Sequence, residues 1–337
     1  MNEVILLAHG SGGQLSHDLV KQVFVAAFAN PILDRQDDSA LLPDKVEGGR
    51  LAFTTDSYVV RPLFFPGGDI GRLAVCGTVN DLAMNGAQPR YLSAAFVVEE
   101  GFALADLRRI AASMARAAGE AGVELVAGDT KVVERGHADG CFVTTAGVGR
   151  VPPGVDISGA NARPGDAVLL SGTVGDHGMA IMSQREGLRF ETPLESDVAP
   201  LNGLVQTMLD TGLEIHCLRD PTRGGLATTL NELAGQSEVE IVVEEGRIPV
   251  RPVVRGLCEL LGLDPLYVAN EGKLVAIVPQ PAAERILAAM RAHPLGRDAA
   301  IIGRVRAGRA GRVALRTTLG AHRVLDMMAG ELLPRIC

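Results

Sequence analysis

No stretch of this sequence is long enough and apolar enough to cross a lipid bilayer. The longest run without Asp, Glu, Lys or Arg covers residues 4–17, which is 14 residues, and Gly, Ser, His and Gln interrupt it. A membrane-spanning helix needs about 20 apolar residues. The opening residues MNEVILLAHGSGG lack a basic region and a small-residue cleavage pattern, so they do not resemble a secretory signal. We therefore expect no membrane segment and a cytoplasmic location.

Clusters of basic residues are also missing. The formal net charge is -8, and only four lysines occur among the 32 basic residues. A protein that binds the phosphate backbone of nucleic acid normally carries a basic patch, and no Lys/Arg-rich run stands out here. We do not expect nucleic acid to be a partner.

The chain lacks the spacings of several common sites. Its five cysteines are odd in number and widely separated, with no C-x-x-C pair, which argues against a disulfide framework and a zinc site. The P-loop pattern G-x-x-x-x-G-K-[ST] and the dinucleotide pattern G-x-G-x-x-G are absent. The hydrolase patterns H-E-x-x-H and G-x-S-x-G are absent as well. A nucleotide site in this chain would have to be built in another way.

The composition is that of a folded protein with two domains. The chain has 337 residues, of which 47% are hydrophobic and 21% charged, and such a length usually divides into two cores. Proline and glycine gather at residues 151–166, and the apolar run AVLLSG follows as a new buried strand. We predict an N-terminal domain over residues 1–155, a C-terminal domain over residues 156–330, and a mobile tail over residues 331–337.

Both halves predict a mixture of helices and strands. Residues 103–121 place six apolar residues at helical spacing, with most charged residues on the other side, namely Leu104, Leu107, Ile110, Ala111, Met114 and Ala118. The remaining predicted helices are residues 69–85, 179–185, 202–211, 225–235, 253–261 and 282–291. The predicted strands are residues 51–55, 91–98, 124–127, 141–148, 167–171, 239–243 and 274–279.

Several aspartates stand in turn-like or glycine-flanked settings instead of on charged helix faces. Each one alone is typical of a turn or a helix cap. Together, short carboxylates at strand ends suit a hard cation such as Mg²⁺. A carboxylate about 4 Å from a phosphate costs roughly 4 kcal/mol at an effective dielectric constant of 20, so a polyphosphate among them requires divalent ions. These residues are Asp37, Asp38, Asp56, Asp81, Asp129 and Asp220.

Two further features accompany the aspartates. Asn80 and Asp81 lie inside the apolar stretch LAVCGTVNDLAM, where polar side chains need partners. They form either a satisfied internal network, an exposed stripe or part of a site. The segment AHGSGGQ at residues 8–14 is flexible and rich in backbone donors, which allows it to wrap an anion.

The chain ends in a cysteine, Cys337. The seven residues beyond Gly330 could reach about 23 Å if extended, far enough to carry a thiol into a neighbouring cleft. One interpretation is an inert thiol at a frayed terminus. The other is a covalent carrier arm, because sulfur is a good nucleophile for an acyl or carbamoyl group. The residues themselves leave both open.

The motifs HGSGGQ, FTTDSYVV, GTVNDLAMNGAQP, GDTKVV, LRDPTRGG, NEGKL and the final PRIC resemble the HypE family of hydrogenase maturation proteins. The resemblance runs from His9 to Cys337, and PRIC separates that family from its wider relatives aminoimidazole ribonucleotide synthase, selenophosphate synthetase and thiamine-monophosphate kinase. It implies a PurM-like two-domain α+β fold. The N-terminal domain would form a β-barrel with its dimer mate and bind ATP at the barrel edge, beside a C-terminal α/β domain.

The resemblance also implies an activity. The family dehydrates an S-carbamoylated C-terminal cysteine to an S-cyano group, with ATP and Mg²⁺, for the iron centre of NiFe hydrogenases. The carbamoyltransferase HypF would supply the carbamoyl group, and a HypC–HypD complex would receive the cyano group. Two alternatives are a superfamily synthetase or kinase that acts on a free small molecule, and a non-catalytic adaptor.

The site residues follow from the same resemblance. Cys337 would carry the substrate group, Glu271 would be the base and Lys131 a charge stabiliser, although which of the last two is the base stays open. Glu271 could instead cap a turn. The histidines beyond His9, among them His177, lack metal-like spacing and receive no role. The resemblance implies metal ligation by Asp38, Asp56, Asp81 and Asp129, and nucleotide binding by these four with Asn80, Asp220, Gly12 and Gly13.

Overall fold

The computed structural model describes residues 13–25, 30–46, 49–187, 194–328, 333 and 335–337. It contains two large β-sheets, one built from residues 40–151 and the other from residues 167–324. The predicted domain boundary lies in the segment between them. Within the described ranges, no helix combines the length and the apolar character needed to cross a membrane.

The first sheet has five strands in the order β1-β2-β7-β5-β6, and all neighbouring pairs are antiparallel except β5 and β6. A separate hairpin, β3 with β4, follows β2 along the chain. The strands of the N-terminal half are β1 (Ala40–Val46), β2 (Gly49–Tyr58), β3 (Phe64–Phe65), β4 (Gly68–Asp69), β5 (Gln88–Glu99), β6 (Glu124–Val133) and β7 (Cys141–Val151).

Two helices cover one side of this sheet. The helix α2 (Ile70–Met84) lies on the strands, and α3 (Leu104–Ala121) packs on α2. The carboxylate of Asp69 caps α2 by accepting hydrogen bonds from the first backbone amides of the helix. Nearly all of α2 is buried because it also contacts the second domain. A short helix α1 (Gln14–Leu19) and a π-helical turn (Val20–Val25) precede the sheet.

The second sheet has seven strands in the order β14-β13-β10-β12-β8-β11-β9, and of its neighbouring pairs β10 and β13 are parallel. Its strands are β8 (Ala167–Leu170), β9 (Cys217–Arg219), β10 (Glu240–Glu244), β11 (Val275–Val278), β12 (Ala300–Arg306), β13 (Arg312–Arg316) and β14 (His322–Val324). The helices of this half are α4 (Asp176–Arg185), α5 (Asn202–Leu209), α6 (Gly225–Gln236), α7 (Pro252–Leu261) and α8 (Ala283–Ala292).

The apolar strands of the second sheet are buried on both faces. In β8, Val168 and Leu170 join the core on the α6 side, whereas Ala167 and Leu169 join the core beneath α5 and α8. Because side chains alternate along a strand, a strand between two helical layers must be apolar at every position. This is why β8 reads AVLL and β11 reads VAIV.

The structure confirms most of the predicted elements. All predicted helices and strands overlap an observed element of the same type. The apolar face predicted for α3 is buried at Ile110, Met114 and Ala118. Leu104 is 60% exposed and Ala111 is exposed too, so their assignment to that face was wrong. Residues 300–324 were not predicted to form strands, although β12, β13 and β14 lie there. The arginines of β12 and β13 interrupt the apolar pattern that marks a buried strand.

Candidate functional site

A cleft of about 400 Å³ opens between the two halves of the molecule. The first half contributes residues from β2, from α2 and from the segment just before β1. The second half contributes residues from β9, the turn after it and α6. Five of the predicted aspartates line this cleft, namely Asp37, Asp38, Asp56, Asp81 and Asp220. The fold thus brings together carboxylates that are up to 183 positions apart in the chain.

One wall of the cleft forms where β2 passes beneath α2. Thr54, Asp56 and Tyr58 share one face of β2 because side chains alternate along a strand. The Thr54 hydroxyl donates a hydrogen bond of 2.9 Å to Oδ2 of Asp81 on α2. The sequence FTTDSY therefore places a carboxylate on the strand next to a carboxylate on the helix.

The carboxylates of the cleft repel one another when they are ionised. Burial raises the pKa of Asp81 well above its usual value, and the nearby charges of Asp220, Asp56 and Asp38 raise it further. Burial and the charge of Asp38 raise the pKa of Asp220 to about 8. Groups that share a site in this way favour a proton or a cation between them. This wall of the cleft therefore favours the binding of a cation.

Arg219 at the end of β9 balances the outer carboxylates. Its Nε lies 2.9 Å from Oδ1 of Asp38, and one terminal nitrogen lies 3.0 Å from Oε2 of Glu232 on α6. Despite burial, Arg219 together with His17 holds the pKa of Glu232 below its usual value. The other terminal nitrogen of Arg219 donates to the backbone carbonyl of Gln36. Asp38 is therefore an ion-pair partner in this structure, which limits its freedom to bind a metal.

The turn DPTRGG delivers a second guanidinium, that of Arg223, to the cleft. Gly224 and Gly225 follow it with φ angles of +78° and +62°, a left-handed backbone that side chains oppose. A Cβ on Gly225 would also lie 2.7 Å from the carbonyl oxygen of Leu266. This tight turn starts α6, and the charge of Cys337 is the largest contribution to the raised pKa of Arg223.

Glu271 is a buried carboxylate with an unsatisfied oxygen. It is 3% exposed, and its Oε1 has no hydrogen-bond partner in the described structure. Burial raises the pKa of Glu271 well above its usual value, and the charges of Asp220, Asp197 and Asp56 add to this, while Arg223 opposes it. An unpaired buried carboxylate is costly, so its retention points to a ligand or a proton-transfer role.

Cys337 lies at the same place. Its backbone carbonyl accepts a hydrogen bond of 3.2 Å from the amide of Val59, directly after β2. The thiol is half-buried; burial raises its pKa, Arg223 opposes this, and Glu271, Asp56 and Asp220 add to it. The terminal residue is therefore bound beside the end of β2, near enough to Glu271, Asp56 and Asp220 for their charges to act on its thiol.

Asn80 does not line the cleft, although it neighbours Asp81 in sequence. Its Oδ1 accepts a hydrogen bond of 2.7 Å from the amide of Leu201. Its amide nitrogen donates to the carbonyls of Ala199 and Glu271, at 3.1 and 3.3 Å. Adjacent residues on a helix point about 100° apart, so one faces the cleft and the other the second domain. In this structure Asn80 joins the two halves of the molecule, and its contact with the nucleotide stays a prediction.

Three other predicted residues lie away from the described cleft. Asp129 and Lys131 form an ion pair on the exposed strand β6. Gly13 is buried against Met328, where a Cβ would lie 2.2 Å from the backbone oxygen of that residue. Gly12 lies outside the described residues. The predicted catalytic Lys131 is thus exposed on β6, whereas Glu271 is buried.

Sequence reasoning missed the basic residues of the cleft. Arg219 and Arg223 stand on either side of Asp220 in LRDPTRGG, the motif already recognised as significant. The predicted cluster of aspartates was itself a signal to look for arginines in the same motifs, because clustered acids require cations nearby. Glu232 and His17 carried no such signal, since neither belongs to a recognised motif.

The donor set fits Mg²⁺ bound together with a polyphosphate. Carboxylate oxygens are its preferred protein ligands, and Mg²⁺ usually takes one or two of them and completes its shell with waters and phosphates. Across the described ranges, no three His, Cys, Asp or Glu side chains are grouped closely enough to hold a metal ion by themselves. The cleft thus suits a metal that arrives with its nucleotide, as opposed to a cage made only of protein.

Comparison with known proteins gives matches along essentially the whole chain. Family models of the AIR synthase related protein match residues 36–151 with the N-terminal domain and residues 163–316 with the C-terminal domain. The carbamoyl dehydratase HypE of Azotobacter vinelandii is 58% identical over 336 residues, which is 100% of this chain and 98% of that protein.

Two solved structures also resemble this chain over nearly its whole length. A crystal structure of a HypE–HypF complex matches with a TM-score of 0.87 and 51% identity, covering 92% of this chain and 99% of the other. A crystal structure of the hydrogenase maturation protein HypE in complex with ATP matches with a TM-score of 0.84 and 54% identity, covering 99% and 100%. These matches confirm the PurM-like two-domain α+β fold predicted from the sequence.

Proposed function

The chain belongs to the HypE family of carbamoyl dehydratases, and we propose that it dehydrates a carbamoyl group carried on its own Cys337 to an S-cyano group. Its activity is the ATP-dependent dehydration that serves hydrogenase maturation. The observation that carries the assignment to Cys337 is the docking of this terminal thiol beside Glu271, a buried carboxylate with an unpaired oxygen. A carbamoyl group on that sulfur would offer the N–H that the oxygen lacks.

The reaction requires that a poor leaving group be converted into a good one. The carbamoyl oxygen attacks the γ-phosphorus of ATP, so that an O–P bond forms while the bond to the ADP oxygen breaks. One N–H proton is lost as the oxygen is phosphorylated. The second N–H proton is then removed, the C–O bond breaks, phosphate leaves, and carbon and nitrogen are joined by a triple bond. The sum is carbamoyl-Cys337 and ATP giving cyano-Cys337, ADP and phosphate.

Glu271 is the proposed base for the nitrogen. Burial and the neighbouring carboxylates raise its pKa, so the ionised carboxylate is a stronger base than a carboxylate in water. Arg223 supplies positive charge on the same side, because it faces both Cys337 and Asp56. We assign Arg223 to stabilise negative charge that develops on the transferred phosphoryl group.

Asp56, Asp81 and Asp220 are the proposed contacts to Mg²⁺. Bound with ATP, this ion would neutralise the phosphates and so relieve the mutual repulsion of the buried carboxylates. Asp38 has Arg219 as its partner, so we place it outside the metal shell and in the support of the cleft.

Lys131 and Asp129 enter this proposal through a second copy of the chain. The edge strand β6 has no neighbour on its outer side in the described sheet, and it exposes Leu125, Val126 and Val132. An exposed apolar edge strand is normally covered. We propose a homodimer in which β6 is covered by the partner subunit and Lys131 approaches the partner's phosphate site.

The remaining assignments concern partners and location. HypF, which forms a complex with HypE in a solved structure, is the proposed source of the carbamoyl group. A HypC–HypD complex is the proposed acceptor of the cyano group. We place the protein in the cytoplasm, where ATP is abundant and its five free cysteines stay reduced.

Mass spectrometry of the C-terminal peptide tests the proposal. After incubation with a carbamoyl donor, HypF and ATP, Cys337 should first gain a carbamoyl group and then lose one water. Cys337→Ala should abolish turnover, whereas Cys141→Ala, which removes a buried thiol elsewhere, should retain it. Full turnover by Cys337→Ala would favour an enzyme that acts on a free small molecule. Binding of partners without any ATP hydrolysis would favour an adaptor.

A further inference from the structure

The last three residues of the chain are bound along the segment that follows β2. The amide of Val59 donates to the carbonyl of Cys337 at 3.2 Å, and the amide of Arg61 donates to the carbonyl of Arg335 at 3.1 Å. The Arg335 Nε donates in return to the carbonyl of Val59 at 3.0 Å. This ladder-like pairing holds one side of the tail through its main chain, and it leaves the carbonyl of Ile336 facing the other way.

His177 binds that remaining carbonyl. Its Nε2 lies 2.8 Å from the backbone oxygen of Ile336, and its Nδ1 lies 2.7 Å from Oγ of Ser196. The His177 ring is fully buried and meets the ring of Phe65 edge-on, with 5.5 Å between the centroids. Ile336 is itself only 3% exposed. The tail is therefore held by a buried hydrogen bond at Ile336, one residue before the reactive sulfur.

A single tautomer of His177 satisfies both ring nitrogens. A carbonyl oxygen can only accept, so Nε2 carries the hydrogen in the bond to Ile336. Nδ1 then accepts from the hydroxyl of Ser196, whose oxygen accepts in turn from the amide of Val198 at 3.1 Å. Burial lowers the pKa of His177, which favours this neutral form. The result is a donor aimed in one direction at the tail.

The helix that carries this histidine is attached to the loop that carries Glu271. The amide of Gly175, just before α4, donates to Oδ1 of Asn270 at 2.7 Å. The amide of Gly178, in the first turn of α4, donates to the carbonyl of Ala269 at 3.0 Å. The start of α4 therefore cannot shift without moving the two residues that precede the proposed base.

A second connection runs through Ser196 and Asp197. Oδ1 of Asp197 accepts from the amide of Glu271 at 3.1 Å, and Oδ2 lies 3.1 Å from Nζ of Lys273. Ser196, the next residue, is the partner of His177. One dipeptide thus contacts both the residue that holds the tail and the backbone of the proposed base.

We propose that His177 is a tail-positioning residue, whose bond to the carbonyl of Ile336 sets the sulfur of Cys337 against Glu271. The inference rests on the proposed function, in which the group on Cys337 is the substrate. Because the bond reaches only main-chain atoms, it holds the free, carbamoylated and cyanated tail in the same way. It therefore acts on position and not on the chemistry of the sulfur.

Two substitutions separate the hydrogen bond from the packing of the ring. His177→Phe keeps an aromatic ring in the buried site but removes the donor, and His177→Gln restores an N–H near the position of Nε2. His322→Phe is the matched control, since His322 is exposed on β14. Thermal melting of all three variants shows whether the fold is retained.

The first measurement is the rate at which iodoacetamide alkylates Cys337 in the full chain, followed on the C-terminal peptide. The other four cysteines are buried, so they report only general unfolding. Loss of one net hydrogen bond should raise the alkylation rate about three- to tenfold in His177→Phe. His177→Gln should lie within about twofold of the wild type, because its N–H restores most of that bond.

The second measurement is the single-turnover dehydration of carbamoylated Cys337 at saturating ATP. His177→Phe should slow it by a similar factor without changing ATP affinity, and His177→Gln should recover it. Unchanged rates of alkylation and dehydration in His177→Phe would overturn the proposal. It would also be overturned if His177→Phe and His177→Gln changed these rates equally and both lowered the melting temperature. If the wild type shows no dehydration, the proposed function fails, but the alkylation rates still decide whether His177 holds the tail.

Discussion

The Nζ atom of Lys131 lies 2.7 Å from Oδ2 of Asp129, and this ion pair sits on the exposed edge strand of the first sheet. The two side chains are 69% and 63% exposed. Their hydrogen bond, together with the amide of Thr130, lowers the pKa of Asp129. Exposed pairs of this kind contribute little to stability. A role for Lys131 in the reaction therefore depends on what covers β6.

Mixed dimers test whether Lys131 acts in the partner subunit. Lys131→Ala and Glu271→Gln homodimers should each be inactive, because each removes one component of every site. A heterodimer of the two variants would contain one intact site if Lys131 acts across the interface, so it should regain about half of the wild-type turnover. Lys21→Ala mixed with Glu271→Gln gives the control for subunit exchange. No recovery in the Lys131 heterodimer would place Lys131 and Glu271 in the same subunit or outside the reaction.

The dehydration rate should depend on the ionisation of Glu271. The pKa of this carboxyl is raised by burial and by neighbouring carboxylates, so its basic form increases as the pH rises through that raised value. We expect the single-turnover rate to rise over the same range. Glu271→Gln should remove this dependence and lower the rate by roughly 10²- to 10⁴-fold, the usual contribution of a general base.

The control for this change is Glu284→Gln, which alters an exposed glutamate on α8. Nucleotide affinity should stay near the wild-type value in both variants, because the proposed role of Glu271 is at the nitrogen. A Glu271→Gln enzyme that retained its rate within a few fold would assign the base to another group.

The sequence predicted the cleft better than it predicted the residues that organise it. Asp56, Asp81 and Asp220 belong to motifs, and the fold brings them to one place. Asn80 and Asp81 looked like one functional pair, but a helix turns adjacent residues to different faces, and only the contacts of α2 show which face meets the cleft. A single chain cannot reveal this from spacing.

His177 shows a further limit of sequence reasoning. Its spacing to other histidines carried no signal, because its partner is the main-chain carbonyl of Ile336, 159 positions away. Every residue has a main-chain carbonyl, so the sequence does not show which one a side chain will bind. By contrast, the apolar strands β8 and β11 were predicted correctly, since burial on both faces requires an uninterrupted apolar run.

Replacement of Asn80 should mainly affect stability and the position of Glu271. Asn80→Ala leaves the amide of Leu201 and the carbonyl of Ala199 without partners in a buried place, and it leaves the carbonyl of Glu271 with only the amide of Ala199, at 3.4 Å. We expect a loss of about 3 kcal/mol in the free energy of unfolding, measured in urea. Dehydration should slow, while ATP affinity changes little. Asn161→Ala, which removes an exposed hydrogen bond to the carbonyl of Asp156, is the control. A large loss of ATP affinity without destabilisation would return Asn80 to the nucleotide site.

The stability of the nucleotide-free protein should fall as the pH rises, because of Asp220. Its pKa is about 8 in the folded state and 3.8 ordinarily, so between these values the folded protein binds more protons than the unfolded one. The contribution of this group to stability therefore declines from about pH 4 to about pH 8. Asp220→Asn cannot ionise, and it should match the wild type near pH 4 but exceed it by on the order of 2 kcal/mol near pH 8.

The same substitution should reduce the stabilisation that MgATP gives. In the wild type, the metal that accompanies the nucleotide would replace the proton on Asp220, and ligand that binds only the folded state raises the melting temperature. Asp220→Asn removes that carboxylate, so its melting temperature should rise less when MgATP is added. Asp298→Asn, at an exposed position, should behave as the wild type in both experiments. If Asp220→Asn proved less stable than the wild type near pH 8 and yet gained as much from MgATP, the carboxylate would be structural, and the positive charge that the cleft requires would have to bind elsewhere.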